Sequence, residues 1–240
     1  MKLSSILSIL MLFSISTNEA FSKTLSEKLT ERRNQSAKKV AAPIKKKMNA
    51  GVESLKKMGL SKKALGVGQK LPSISLLDSK RKRVSLNELT AGQVSVITFY
   101  RGGWCPYCML ELDHYETMIS DFEKAGVKVF AISPDGPMES RKTKNKRNLS
   151  YAVLSDPNNK AAKQLGLAFK VDSDTLSIYR QFGIDLEKSQ KNKNGELPMP
   201  GTYVVDKSGV IRYSFVDPDY TKRAEPSEVL TFARKLSKTN

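Results

Sequence analysis

Residues 94–108 read Val94-Ser95-Val96-Ile97-Thr98-Phe99-Tyr100-Arg101-Gly102-Gly103-Trp104-Cys105-Pro106-Tyr107-Cys108. Val94 to Tyr100 is a near-continuous apolar run of strand length, the pattern of a central strand buried on both faces. Gly102-Gly103 then supplies a turn. From Cys105 onward the pattern becomes helical: Met109, Leu110, Leu112, Tyr115, Met118, Ile119 and Phe122 form one apolar face that ends before Gly126. Pro106 fits the first turn of that helix, where no backbone N–H is demanded. Both cysteines of the chain therefore fall where a buried strand turns into a helix.

That placement has chemical consequences. Helical residues three apart are neighbours, with Cβ atoms about 5–6 Å apart, so a disulfide between them needs only modest adjustment. The free N–H groups and positive end of the helix stabilise a thiolate. Cysteine pKa values in such settings fall from about 8.5 to between roughly 3.5 and 7.5, and Arg101 adds positive charge just upstream. Two other uses fit poorly. A structural staple gains most by closing a long loop, and this pair closes almost none. A structural zinc site takes four ligands, whereas the chain holds two Cys and one His. That histidine, His114, reads as a surface residue. A redox pair is the reading that remains, with no metal and no cofactor expected.

Outward from this stretch, strands alternate with helices, which favours a layered α/β domain over residues 66–240. Ser73 to Leu77, Val127 to Ser133 and Tyr151 to Leu154 read as strands, and Lys160 to Gln164 as a short helix. Arg141 to Asn148 is a basic, solvated helix or loop. A long insert follows, punctuated by Asn194-Gly195 and by Pro198 to Gly201. A hairpin pairs Thr202–Val205 with Val210–Phe215 around Asp206-Lys207-Ser208-Gly209. The last helix has Pro226 near its start and a stripe of Val229, Leu230, Ala233 and Leu236.

The N-terminal third has a different grammar. Residues 23–65 hold thirteen Lys or Arg against three Glu, a net +10, and residues 66–240 carry the remaining +7 of the chain's +17. Leu25, Leu29, Val40, Ile44, Met48, Val52, Leu55 and Met58 recur at helical spacings, which predicts a basic arm of one or two helices, broken near Ala42-Pro43, laying an apolar stripe on the main domain. The charge suits a solvated face or contact with anionic lipid or polyanion; no specific nucleic-acid motif accompanies it. Before the arm, Lys2, the apolar run Leu3 to Ile15 and the small residues through Ser22 have the order of a secretory signal. The run is shorter than the roughly 20 residues a spanning helix needs. Cleavage near Ser22 and an exported protein, periplasmic or secreted, are expected.

The segment from Phe99 to Cys108 also resembles the signature of the peroxiredoxin-like branch of the alkyl hydroperoxide reductase/thiol-specific antioxidant family. The likeness continues through Leu197-Pro198-Met199-Pro200-Gly201-Thr202-Tyr203-Val204-Val205-Asp206, Val216-Asp217-Pro218-Asp219-Tyr220-Thr221 and Glu225-Pro226. It implies a thioredoxin-like fold, a mixed central sheet flanked by helices, here with an added N-terminal helical arm. It implies that Pro200 is the cis-proline of a loop facing the cysteines. It also places Cys108 at the peroxidatic cysteine and Cys105 at a threonine of the family pattern. A later arginine that polarises the peroxide falls on Pro200, leaving Arg101 as the evident substitute.

Two enzymatic readings follow. In the first, a thiolate (Cys108 by alignment) attacks a hydroperoxide, the other cysteine condenses with the sulfenic acid, and a thioredoxin-like protein reduces the pair. In the second, Cys105 attacks a protein disulfide and Cys108 resolves the intermediate, with Trp104, Pro106, Tyr107 and Pro200 forming the substrate surface. A third reading, from another class, is a non-enzymatic binder acting through the basic arm.

Overall fold

A computed structural model describes residues 23–239; the expected signal, residues 1–22, lies outside the described residues. Thr24 opens the first helix, α1 (Leu25–Lys39), through a reciprocal cap. Its hydroxyl accepts from the Glu27 N–H while the Glu27 carboxylate accepts from the Thr24 N–H, which satisfies two amides that helix geometry leaves open. After Val40 and Ala41 comes α2 (Ala42–Lys57), with Pro43 in its first turn. The break expected near Ala42-Pro43 falls at Val40-Ala41, and Pro43, which has no N–H to satisfy, sits in the first turn of the next helix. A single turn, α3 (Leu60–Lys63), completes the arm.

The α/β domain follows in chain order. It begins with β1 (Ser75–Leu77), β2 (Arg83–Ser85) and α4 (Leu86–Thr90), the last capped by Ser85. Next come β3 (Val94–Phe99), α5 (Pro106–Thr117) and α6 (Ile119–Lys124). The one helix expected through Phe122 is two, because Met118, at φ −110° and ψ 2°, leaves helical geometry. Then β4 (Val127–Ser133), α7 (Pro137–Lys146), β5 (Ala152–Ser155) and α8 (Lys160–Gln164) follow. The insert proves structured: β6 (Ala168–Lys170), α9 (Ser173–Gln181), α10 (Leu186–Gln190) and β7 (Glu196–Pro198). Asp172 and Asp185 cap its two helices by accepting from the backbone N–H groups of Thr175 and Lys188. The chain ends with β8 (Gly201–Val205), β9 (Ile211–Val216) and α11 (Pro226–Thr239).

Seven strands form one mixed sheet in the order β2-β1-β5-β4-β3-β8-β9, and β6 and β7 pair separately. β3 lies at its centre, parallel to β4 and antiparallel to β8. Its side chains alternate between two apolar layers, as strand geometry requires. Val94 and Val96 face Leu112, Tyr115, Phe122 and Val229, whereas Ile97 and Phe99 face Leu86, Leu165 and Tyr203. The arm joins the first layer only through α1, whose Leu25 and Leu29 are buried. Each contributes about 1.5–3 kcal/mol of burial. No residue of α2 is fully buried; its apolar stripe is half-buried, with Met48 packed against Val171, Tyr179, Leu186 and Leu197.

Candidate active site

β3 delivers the chain to the site through Arg101-Gly102-Gly103-Trp104. Gly102 sits at φ +144°, and a Cβ there would lie 2.4 Å from Trp104 Nε1. Gly103 donates its N–H to Asp135 Oδ2 at 2.8 Å, and a Cβ on it would lie 2.2 Å from Thr143 Oγ1. The two glycines are thus required by close approach as well as by the turn. Asp135 is buried at the end of β4. Burial pushes its carboxyl up to about 7, against the lowering effect of the Gly103 N–H and the Ser189 hydroxyl.

Cys105 is the N-cap of α5, not a residue inside it. Its sulfur accepts from the Cys108 N–H at 3.4 Å, the position where a helix leaves its amides open. Both cysteines are free thiols and both are buried. Their environments separate them. Burial raises the Cys105 thiol, but the hydrogen bond from the Cys108 thiol, the Arg101 and Arg223 guanidiniums and the Cys108 N–H outweigh it. The net result is a thiol lowered to about 6. Cys108 moves the other way: burial, the proton it shares toward Cys105 and the Cys105 charge hold it well above the ordinary thiol. The same hydrogen bond lowers one partner and raises the other.

Two buried guanidiniums flank the pair. Arg101 is caged by aromatic rings, its central carbon 4.4 Å from the Tyr220 ring, 5.0 Å from Trp104 and 5.5 Å from Tyr179. It donates to the Tyr179 hydroxyl, and such cages fix a cation while leaving its charge available. Arg223 donates through Nη2 to Cys108 Sγ at 3.1 Å and through Nε to Glu111 Oε2 at 2.5 Å. Glu111 in turn accepts from Thr98 Oγ1 at 2.9 Å, and the side chains of Arg223 and Glu111 are 1% and 0% exposed.

Arg223 and Glu111 were not among the residues expected from sequence. Arg101 was expected to be the substitute for the missing arginine, yet it is Arg223 that touches Cys108. The adjoining motifs Asp217–Thr221 and Glu225-Pro226 flank Arg223 and were the available signal. Tyr179 is not legible from sequence, because the polar insert that carries it shows no clear strand or helix periodicity. His114 is corrected as well. It is buried at 6% exposure, between Lys28 Nζ at 3.2 Å and Glu225 Oε1 at 3.5 Å, because α1 packs over its face of α5.

Pro200 is not cis: the described chain contains no cis peptide bond. The trans form is the lower in energy for X–Pro, and it carries the chain in an extended path from β7 to β8. Met199 N–H there donates to the Leu167 carbonyl, and the Pro200 carbonyl accepts from Asp217 N–H. Pro200 lines a small cavity of about 110 Å³ behind Arg101, with Tyr179 and Tyr220. The other expected residues meet at a larger cleft of about 900 Å³, where Arg101, Trp104, Cys105, Pro106 and Tyr107 form one wall and α1 and α2 the other. Cys108 is sealed behind them.

Residues 67–214 match the AhpC/TSA family. Among similar proteins, the chloroplastic peroxiredoxin Q of Suaeda salsa is 30% identical over 169 residues, 70% of this chain and 68% of that one. The putative peroxiredoxin bcp of Haemophilus influenzae is 32% identical over 103 residues, 43% of this chain and 66% of its own. In structure, reduced Prx3 from Vibrio vulnificus, solved in complex with hydrogen peroxide, superposes with a TM-score of 0.58 at 20% identity. It covers 70% of this chain and 99% of that one, and it shares the thioredoxin-like fold. With a matching family model over most of the domain, the chain belongs to the AhpC/TSA family and is a thiol-dependent peroxidase.

Proposed function

We propose that Cys105 is the peroxide-attacking thiolate, that Cys108 resolves the product, and that a thioredoxin-like dithiol protein regenerates the pair. One observation carries this reading: of the two sulfurs, Cys105 is the one lowered to about 6, and it is the one on the cleft wall. The thiolate attacks the terminal oxygen of ROOH, the O–O bond breaks, and RO⁻ leaves and takes a proton. Cys105 becomes a sulfenic acid. The Cys108 thiol then displaces its oxygen as water, forming the Cys105–Cys108 disulfide. Arg101 holds positive charge beside the attacking sulfur, and Trp104, Pro106 and Tyr107 shape the mouth. Burial and the neighbouring Cys105 keep Cys108 protonated until it is called on, against the lowering effect of the Arg223 guanidinium at 3.1 Å.

A second reading rests on a specific contact. Arg223 at 3.1 Å from Cys108 suits a peroxidatic role for that sulfur, as the family alignment implies. Trapping sulfenic acid with dimedone after hydroperoxide addition separates the two. Under the proposed order Cys108→Ser accumulates adduct on Cys105 and Cys105→Ser accumulates none; the reverse pattern reverses the assignment. Peroxide consumption coupled to thioredoxin and its reductase, run beside insulin-disulfide reduction, tests the substrate class, and insulin reduction without peroxide turnover would favour a protein disulfide.

We place the protein outside the cytosol, supported by the order of Lys2, Leu3–Ile15 and Ser22. Among the described residues no helix is long and apolar enough to cross a membrane. N-terminal sequencing of the protein from its host is expected to begin near Lys23, and a chain beginning at Met1 would count against export with cleavage.

A further inference from the structure

The two arginines beside the cysteine pair are held in opposite ways. Arg223 is neutralised by Glu111, the common arrangement for a buried guanidinium, whose charge is costly unless it is paired. Arg101 is 4% exposed and has no carboxylate partner among the described residues. Its one side-chain hydrogen bond there goes to the Tyr179 hydroxyl, and its Nε has no partner. The rings of Tyr220, Trp104 and Tyr179 supply its other neighbours. An unpaired buried charge lowers stability, so its retention points to function. Here the charge acts on both Cys105 and Cys108.

A carboxylate is nevertheless close by. Asp172 lines the cavity of about 110 Å³ behind Arg101, together with Tyr179, Tyr220 and Arg101 itself. Among the described residues it is the one carboxylate in that lining, and a charge-assisted bond to it is roughly twice as strong as one to a neutral hydroxyl. Asp172 is engaged in capping α9, accepting from the Thr175 N–H at 2.8 Å and the Thr175 hydroxyl at 2.7 Å. Lys170, the other cation in the lining, donates to the Asn194 carbonyl. Tyr179 stands two turns further along the same helix. α2 holds α9 there: Met48 packs against Val171, Tyr179, Leu186 and Leu197, and Lys47 pairs with Asp174 at 3.1 Å. Gly51 comes so near that a Cβ on it would lie 3.4 Å from Thr175 Oγ1 and 3.6 Å from Asp172 Oδ2.

We propose that Tyr179 is a positioning residue for the peroxidase reaction, its hydroxyl holding the Arg101 guanidinium beside Cys105 and away from Asp172. The assignment rests on Cys105 being the attacking sulfur. Without the hydroxyl, the guanidinium turns into the cavity, pairs with Asp172 and is lost to the thiolate. Tyr179→Phe removes the acceptor and keeps the ring with its packing. The other groups that act on Cys105, namely Arg223 and the Cys108 thiol and N–H, are untouched by that change.

Iodoacetamide alkylation of Cys105 against pH, in the full chain carrying Cys108→Ser, reads the thiolate without turnover. Adding Tyr179→Phe is expected to raise the midpoint by about half a pH unit and so to about halve alkylation at pH 6. In an Arg101→Met background the same substitution is expected to change nothing, because two changes that act through one partner do not add. Asp172→Asn keeps an α9 cap of equal quality and is expected to return the Tyr179→Phe midpoint to its starting value. An unmoved midpoint in Tyr179→Phe overturns the proposal. So does an equal shift with and without Arg101, or a shift that Asp172→Asn leaves in place. With Cys108 intact, Tyr179→Phe is expected to lower kcat/KM for tert-butyl hydroperoxide more at pH 6 than at pH 8. Dimedone adducts confined to Cys108, beside the shifted midpoint, would overturn the order of attack and keep Tyr179 as the residue that sets the Cys105 thiol.

Discussion

Arg223 Nη2 lies 3.1 Å from Cys108 Sγ, across 115 residues of sequence, and the same guanidinium closes on Glu111 at 2.5 Å. The contact ties the C-terminal segment to the first turn of α5. It also ties the Cys108 sulfur to the buried Arg223–Glu111 ion pair, so stability and the environment of that thiol are coupled at one side chain.

Removing that guanidinium tests both roles. Arg223→Met leaves Glu111 buried without its partner, and breaking a buried pair from one side costs about 3–5 kcal/mol. In a domain of this size that is a fall in Tm of at least about 6 °C by thermal denaturation. The double variant Arg223→Met/Glu111→Leu removes both charges and is expected to recover much of the loss. Its Cys105 thiol is expected to titrate higher than wild type, because Arg223 contributes to lowering it. Recovery of stability with an unchanged thiol titration would remove Arg223 from the chemistry.

The Cys108 hydrogen bond and the two guanidiniums hold the Cys105 thiol down to about 6 against its burial. At pH 7 its thiolate is therefore favoured, whereas an ordinary thiol near 8.5 is mostly protonated. Iodoacetamide alkylation of the Cys108→Ser variant, followed against pH, is expected to rise through about pH 6 and then level off. Arg101→Met is expected to move the midpoint upward. Because the folded pKa is depressed, the thiolate's contribution to stability is present above the unfolded value and is lost as pH falls through about 6. A midpoint above pH 8 in the single variant would mean that Cys108 sets the Cys105 pKa alone.

His114 fastens the arm. Burial lowers its pKa and Lys28 lowers it further, with Glu225 opposing, so the folded protein favours the neutral ring. Stability tied to it is present above about pH 6.5 and is lost as pH falls below that. Glu225 also accepts from the Leu25 and Ser26 N–H groups at the start of α1. Hydrogen exchange of the α1 amides is expected to be faster at pH 5.5 than at pH 7.5, relative to β3 amides and after correction for intrinsic rates. His114→Gln should flatten the difference, and equal protection at both pH values would count against the fastening.

Asp135 anchors the glycine turn. Burial raises its carboxyl to about 7, so its neutral form is favoured, and the stability this gives is present below the unfolded value near 3.9 and lost as pH rises through about 7. Asp135→Asn keeps an acceptor for the Gly103 N–H without the buried charge. It is expected to shift the urea midpoint upward more at pH 8 than at pH 5. Gly103→Ala, by contrast, forces Thr143 aside and is expected to cost about 1–3 kcal/mol at either pH.

The strand from Val94, the Gly-Gly turn and the helix carrying Cys105 and Cys108 were legible in the sequence because each depends on neighbours a few residues away. Apolar periodicity, a first-turn proline and a three-residue cysteine spacing are local quantities. For the same reason Lys160–Gln164 and the closing hairpin were legible, while α9 was hidden behind a polar stretch whose cap at Asp172 is its clearest signal. The tertiary structure decided the rest. It brought Arg223 and Glu111 to Cys108, Tyr179 to Arg101 and Lys28 to His114, and it kept Pro200 trans. It set the half-buried α2 stripe along the cleft that holds Cys105. No periodicity encodes contacts between residues 78 to 115 positions apart. A thiol's pKa is a balance of burial against nearby charge, so the sequence by itself determined that two cysteines lie three residues apart at a strand–helix junction, and the fold decided which is lowered and which is raised.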